Sequence, residues 1–77
     1  MQYNRSTLRH LIVRALQRNT FTAEQPIRVR LRGCVVLLEG SVSHPDLIPE
    51  AVATVESVAP FLRVYSRLRI RREDVLA

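Results

Sequence analysis

Two short segments of the chain alternate aliphatic residues with arginine. One is Ile-Arg-Val-Arg-Leu-Arg at residues 27–32, and the other is Arg-Val-Tyr-Ser-Arg-Leu-Arg-Ile at residues 63–70. Successive side chains of a β-strand point to opposite faces, so this period of two predicts two strands with aliphatic residues on one face and arginines on the other. If both strands belong to one sheet, the first face covers a core and the second collects the arginines.

The segment from Ser6 to Arg18 has the hydrophobic period of a helix. Its apolar residues follow the i, i+3, i+4, i+7 spacing that places them on one buried stripe. These residues are Leu8, Leu11, Ile12, Ala15 and Leu16. Either Asn4 or Ser6 can cap the first turn, because both side chains accept a hydrogen bond from a free backbone N–H.

A hairpin is predicted after a polar loop at residues 19–25. Pro26 suits the start of a strand, and Gly33 can take the positive φ of a tight turn between the strand at 27–32 and a second strand at 35–42. On the second strand one face carries Val36, Leu38, Gly40 and Val42, and the other carries Val35, Leu37, Glu39 and Ser41. Glycine within a strand predicts a bulge, a bend or a helix packed close by.

A second helix is predicted between the hairpin and the last strand. Ser43-His44-Pro45-Asp46 resembles a capped helix start, and Pro49 either kinks the helix or lies near its beginning. Its helically spaced apolar residues are Ile48, Ala51, Val52, Val55 and Ala59. Pro60 ends the helix, and the third strand runs from Leu62 to about Ile70. The order αββαβ predicts an α+β fold in which two helices pack on one face of a three-stranded sheet and leave the other face open.

Length and composition predict a single domain. The chain has 77 residues, a formal net charge of +5 and twelve basic residues, all arginine. A domain of this size lies near the lower limit for independent folding, so dimerisation would be a natural supplement. We expect an ordered core at about residues 5–70 and a charged tail at 71–77. Arginine suits phosphate and carboxylate ligands, but a chain without lysine is also typical of a GC-rich genome.

The open sheet face is the predicted binding site. Its residues are Arg28, Arg30, Arg32, Arg63, Tyr65, Arg67 and Arg69. Like charges so close together repel unless anions or carboxylates offset them, which predicts a negatively charged ligand. A charged edge that prevents aggregation explains the same arginines without any ligand. The first helix adds a secondary basic stripe at His10, Arg14 and Arg18, which is either a solvated face or a second anion-binding surface.

The order of elements and the residues within them resemble the BON family, the bacterial osmotic-shock and nodulation domain. The family's Val-Val-x-Leu-x-Gly-x-Val strand is matched at residues 35–42, and Phe61, Val64, Leu68 and Ile70 stand at its last apolar positions. The sequence departs from the family in three places. Its turn glycine comes one residue early at Gly33, with Cys34 in the usual glycine position, and Pro60 and Ser66 replace a glycine and an asparagine. The resemblance implies a non-enzymatic binding module that attaches to phospholipid membranes or binds another hydrophobic or anionic ligand, and it brings no catalytic residues.

Candidate catalytic and metal-binding groups do not form a recognisable set in the sequence. His10 and His44 fall on different elements, and the single Cys34 excludes an internal disulfide, so we predict no enzymatic activity, metal, cofactor or small-molecule substrate. The N-terminus has no apolar run typical of a secretory signal, and no segment reaches the roughly 18 apolar residues of a membrane span. We therefore expect a cytoplasmic protein, compatible with peripheral attachment to a membrane.

Three partners suit such a module. The first is an anionic phospholipid or membrane surface bound by the arginines. The second is an acidic protein or another copy of the chain, through the uncovered sheet face. The third is single-stranded nucleic acid, which ranks last because only Tyr65 is placed to stack on a base, whereas sheet platforms usually present two or three aromatic residues.

Overall fold

A computed structural model describes residues 4–71 of the chain. The described part contains two helices and one three-stranded sheet in the order predicted from the sequence. The elements are α1 (Arg5–Arg18), β1 (Ile27–Arg32), β2 (Val35–Val42), α2 (Leu47–Val58) and β3 (Arg63–Ile70). The α+β class and the αββαβ order are therefore confirmed. None of the described helices has the length and apolar character needed to cross a membrane.

Helix α1 begins at an asparagine cap and buries a narrow stripe. The Asn4 Oδ1 atom accepts a hydrogen bond from the Thr7 N–H at 2.8 Å, which identifies Asn4 as the cap. The buried residues are Leu8, Ile12 and Leu16. Leu11, which we expected in the stripe, is 38% exposed. It lies about 100° around the helix from Ile12, because an α-helix has 3.6 residues per turn, and this rotation places it at the margin of the packed face.

The central strand of the sheet is β2. It pairs antiparallel with β1 through the hairpin and parallel with β3, so the strand order is β1-β2-β3. The sequence left open whether β3 lies beside β1 or β2. Helix α2 provides the crossover connection that two parallel strands require. As a result, the two arginine-bearing strands lie at opposite edges of the sheet.

Helix α2 begins at Leu47 and carries Pro49 as its third residue. A proline in the first turn does not break the helix, because the first N–H groups of a helix have no partner within it. Asp46 occupies the cap position without a side-chain hydrogen bond to the helix. The helix ends at Val58, just before Pro60, as predicted.

The core fills the space between the helices and the inner face of the sheet. Helix α1 packs over β1, and α2 packs over β3. The fully buried large side chains are Ile12, Val36, Leu38, Val42 and Val55.

The two helices are also joined by the side-chain amide of Asn19, which donates hydrogen bonds to Glu50 and Thr54 at 2.9 Å each. This clamp fixes the end of α1 against α2.

Two residues around β3 that stand at apolar positions of the BON family pattern are more exposed than those positions predicted. Phe61 is 63% exposed in the turn between α2 and β3, and Ile70 is 48% exposed as the last residue of β3. Since β3 is an edge strand, only β2 lies beside it, and its other edge has no neighbouring strand. Val64 and Leu68, between them, are partly buried against the core.

Gly40 lies directly against the backbone that precedes β1. Its φ is +114°, and a Cβ atom built on it would lie 2.1 Å from the carbonyl oxygen of Pro26. The close neighbour is thus the backbone just before β1, not a helix, and the pairing of β2 with both neighbours continues through Gly40 without an extra residue. Gly33 in the hairpin turn has φ +58° and open space around it.

Comparing Gly40→Ala with Gly33→Ala separates the steric clash from backbone strain. Gly33→Ala should cost about 1 kcal/mol of unfolding free energy, the cost of a left-handed residue with a side chain. Gly40→Ala should cost more than about 3 kcal/mol, because it adds a backbone clash to an unfavourable φ. Urea denaturation followed by circular dichroism measures both values. Equal losses would contradict the close approach to Pro26.

Candidate functional site

The outer face of the sheet is the surface that faces away from both helices. All seven predicted site residues lie on it, and all seven are exposed. They are Arg28, Arg30 and Arg32 on β1, and Arg63, Tyr65, Arg67 and Arg69 on β3. The alternation along each strand puts them there, because the residues between them point to the opposite face of the sheet. The placement of these residues is as predicted, whereas their binding role stays a prediction.

Strand β2 separates the two groups of arginines. Neighbouring strands lie about 4.8 Å apart, so the arginine rows on β1 and β3 stand about 10 Å from each other across β2. This spacing reduces the repulsion that we expected for adjacent rows. It also makes the outer face a broad basic surface in place of a single compact cluster.

The strip of β2 between the arginine rows has an apolar half and a polar half. Val35 lies between Arg32 and Arg63 in the pairing. The next position, Leu37, lies between an arginine and Tyr65. Both aliphatic residues are half-buried. The apolar half is therefore at the hairpin end of the outer face, with basic or aromatic neighbours on either side.

Glu39 marks the polar half and is the one carboxylate on the described part of the outer face. It pairs in register with Arg28 on β1 and Arg67 on β3, and its Oε1 atom lies 3.6 Å from Nη1 of Arg30. Half of the Arg30 side chain remains exposed, so this ion pair contributes at most about 1 kcal/mol to stability. Its main effect is to lower the positive potential locally.

The formal charge of the whole chain is concentrated on the outer face. Six arginines and Glu39 give this face a net charge of +5, which equals the net charge of the entire sequence. The rest of the sequence carries six arginines and six carboxylates and is formally neutral. The charge is thus distributed by face, which a general excess of arginine does not explain.

Phe61 lies near the hairpin turn, and the sequence pattern did not place it among the site residues. The Arg63 N–H donates to the Cys34 carbonyl at 2.9 Å, which holds the start of β3 beside the hairpin turn. Phe61 precedes this contact by two residues and is largely exposed. A signal was present in the sequence, since an aromatic residue directly after Pro60 falls in the short link between a helix and a strand.

The secondary basic stripe lies on the other side of the molecule. His10, Arg14 and Arg18 are exposed along α1, which packs on the inner face of the sheet. Together with Val58 of α2 they border a shallow groove. The structure therefore keeps the stripe and the outer face apart, and the two surfaces cannot bind one small ligand together.

A scan of protein-family models returns no match to this chain, and a search of curated proteins finds no significant relative. The resemblance to the BON family therefore stays a prediction that rests on the residues quoted above.

Glu39→Gln should strengthen adsorption of the chain to a sulfonate cation-exchange resin. The substitution removes the carboxylate from among the arginines, so elution should require more salt, while the free energy of unfolding should change by less than about 1 kcal/mol. Glu56→Gln is the matched control, because Glu56 is exposed on α2 and its neutralisation changes the net charge equally. Elution of both variants at the same salt concentration would mean that the outer face does not dominate adsorption.

Proposed function

We propose that this chain is a non-enzymatic binding module that attaches to anionic phospholipid membranes through the outer face of its sheet. One observation carries the proposal: the outer face holds a net charge of +5 while the rest of the sequence is formally neutral. A surface that concentrates charge in this way orients the molecule toward a negatively charged partner.

The shape of the outer face favours an extended ligand over a small one. The arginines stand in two rows separated by about 10 Å, which is too far for most of them to surround a single phosphate group. A lipid surface presents many separate phosphates in a plane, and each row can meet different headgroups. Basic residues near an anionic membrane contribute about 1 kcal/mol each, so four to six arginines provide useful affinity.

The hairpin end supplies apolar and aromatic contacts for the same orientation. Val35 and Leu37 form an apolar strip, Tyr65 is 55% exposed beside it, and Phe61 is 63% exposed at the adjoining turn. Tyrosine rings concentrate at the boundary between lipid headgroups and acyl chains, where one end is apolar and the other is hydrated. A phenylalanine ring has no polar end and is stabilised there by leaving water. We infer that the hairpin end enters the headgroup region while the far arginines remain at its surface.

Single-stranded nucleic acid would present its own phosphates to the same arginines, but base stacking distinguishes it from a lipid surface. Among the described strand residues, Tyr65 is the only aromatic side chain on the outer face. The second aromatic, Phe61, lies in the turn before β3, where an interfacial anchor for a membrane is more useful than a base-stacking platform.

Removing arginines from the outer face should abolish selective binding to anionic vesicles. The test variant is Arg32→Gln/Arg63→Gln/Arg69→Gln, which spares the arginines around Glu39. Co-sedimentation is measured with phosphatidylcholine vesicles and with mixed phosphatidylcholine and phosphatidylglycerol vesicles. The wild-type chain should prefer the mixed vesicles, with weaker binding at higher salt, and the variant should bind them at least about tenfold more weakly.

The matched control for this experiment is Arg5→Gln/Arg14→Gln/Arg18→Gln on α1. It lowers the net charge by the same amount and also removes most of the secondary basic stripe. Retained binding in the control supports the outer face as the site. An equal loss in both variants would contradict the proposal, as would equal binding of the wild-type chain to neutral and anionic vesicles.

Phe61→Ser should weaken binding to the mixed vesicles by roughly threefold to tenfold, while the preference for anionic lipid remains. The loss reflects one aromatic ring that no longer enters the interface, and stability should change little because the ring is exposed. Phe21→Ser is the control, since Phe21 is 65% exposed in the loop after α1, away from the hairpin turn. Unchanged binding of Phe61→Ser would remove the aromatic contact from the proposal.

A further inference from the structure

The free edge of β1 presents backbone groups that the sheet does not use. The Ser41 N–H donates to the Pro26 carbonyl, so these two residues form a hydrogen-bonded pair. Such pairs recur at every second residue of an antiparallel ladder, so Arg28, Arg30 and Arg32 direct their N–H and C=O groups toward β2. In an antiparallel pair the residues between them point their N–H and C=O groups the other way. Val29 and Leu31 therefore direct their backbone groups away from the sheet.

Arg9 of α1 already occupies one of these groups. Its Nε atom donates a hydrogen bond to the Val29 carbonyl at 2.9 Å. This contact both attaches α1 to the strand and blocks part of the edge. For the N–H and C=O of Leu31, the described residues 4–71 provide no hydrogen-bond partner. One residue of the edge thus keeps the complete pair of groups that an added strand needs.

A groove of about 520 Å³ runs beside Leu31. The first turns of α1 form one wall with Arg5, Ser6 and Arg9, and residues 28–32 of β1 form the other. Every charged residue that lines it is an arginine, and no carboxylate of the described chain does. The half-buried side chain of Leu31 adds apolar surface. The groove therefore combines a free strand edge, a basic border and room for a short extended segment.

We propose that this groove binds an acidic, extended segment of a partner protein, which adds as a strand antiparallel to β1 at Leu31. An antiparallel strand exchanges two hydrogen bonds with a single residue, and Leu31 offers both groups. A parallel strand would divide the same two hydrogen bonds between two of its own residues in a slanted pattern, which is slightly less stable per residue. Acidic side chains of the segment face Arg30 and Arg32, and the apolar side chain between them faces Leu31.

The proposed edge site shares Arg30 and Arg32 with the outer face but differs from it in its hydrogen bonds. Those bonds use backbone groups that lie in the plane of the sheet, which membrane attachment through the outer face does not need. The vesicle experiment can therefore fail without affecting this proposal, and the reverse is also true.

A pair of N-methylated peptides tests the proposed hydrogen bonds. The probe is acetyl-Glu-Val-Glu-Val-Glu-amide, titrated into the full ¹⁵N-labelled chain and followed by amide resonances. Methylating both valine nitrogens removes the N–H groups that would meet Leu31 and should weaken binding at least about tenfold. Methylating two glutamate nitrogens keeps the charge and the number of methyl groups, and should change affinity by less than about threefold, because those N–H groups point away from β1.

Two further readouts locate the peptide on the chain. The resonance shifts should centre on Val29 and Leu31, and hydrogen exchange of the Leu31 amide should slow when the parent peptide binds. Arg5→Gln/Arg32→Gln should weaken binding more than Arg67→Gln/Arg69→Gln, which removes equal charge at the opposite edge. Absence of binding by the parent peptide, equal affinity of the two methylated peptides, or shifts centred on β3 would each overturn the proposal.

Discussion

The structure depends on the burial of β2 between two different strand pairings. Val36, Leu38 and Val42 are fully buried and lie on one face of this strand, which fixes its orientation relative to the helices. The pairing registers then determine which residues of β1 and β3 face outward, since a slip of one residue in either strand would turn its arginines toward the core. Burying even one unpaired arginine there would cost more than the domain can tolerate. The same hydrophobic contacts that stabilise the fold therefore also place the charges.

Helices and strands could be predicted almost to the residue, because their periods differ and prolines and glycines separate them. Pro26 and Pro60 stop helical continuation, and the alternation in β1 and β3 has no helical interpretation. The order of the strands could not be predicted in this way, since β3 could pair with either strand of the hairpin. The resolved order depends on tertiary packing: α2 follows β2 directly and covers the position where β3 pairs.

The sequence predicted which residues form the outer face but not how their charges are arranged on it. Alternation alone identifies which arginines share a face. The distance between the rows, by contrast, follows from the central position of β2, and the role of Glu39 follows from its register with Arg28 and Arg67. Phe61 was expected among the apolar positions of the last strand, but it is exposed in the link before β3, which the hydrogen bond between Arg63 and Cys34 holds beside the hairpin. Contacts between distant residues decide these features, and a periodic pattern does not contain them.

The contact between Arg9 and Val29 reconciles an open edge with resistance to aggregation. A free strand edge flanked by aliphatic residues invites pairing with other chains, and charged side chains are a common protection. Here the guanidinium of Arg9 occupies one carbonyl of β1, and among the residues at the free edge of β1 only Leu31 has no partner in the described chain for either backbone group. An uncharged strand could add few hydrogen bonds at such an edge and would gain nothing from its arginine border. Two hydrogen bonds are too few for tight binding on their own, so an acidic segment owes its selectivity to the arginines and its alignment to the backbone. The edge is therefore suited to a reversible and charge-selective contact.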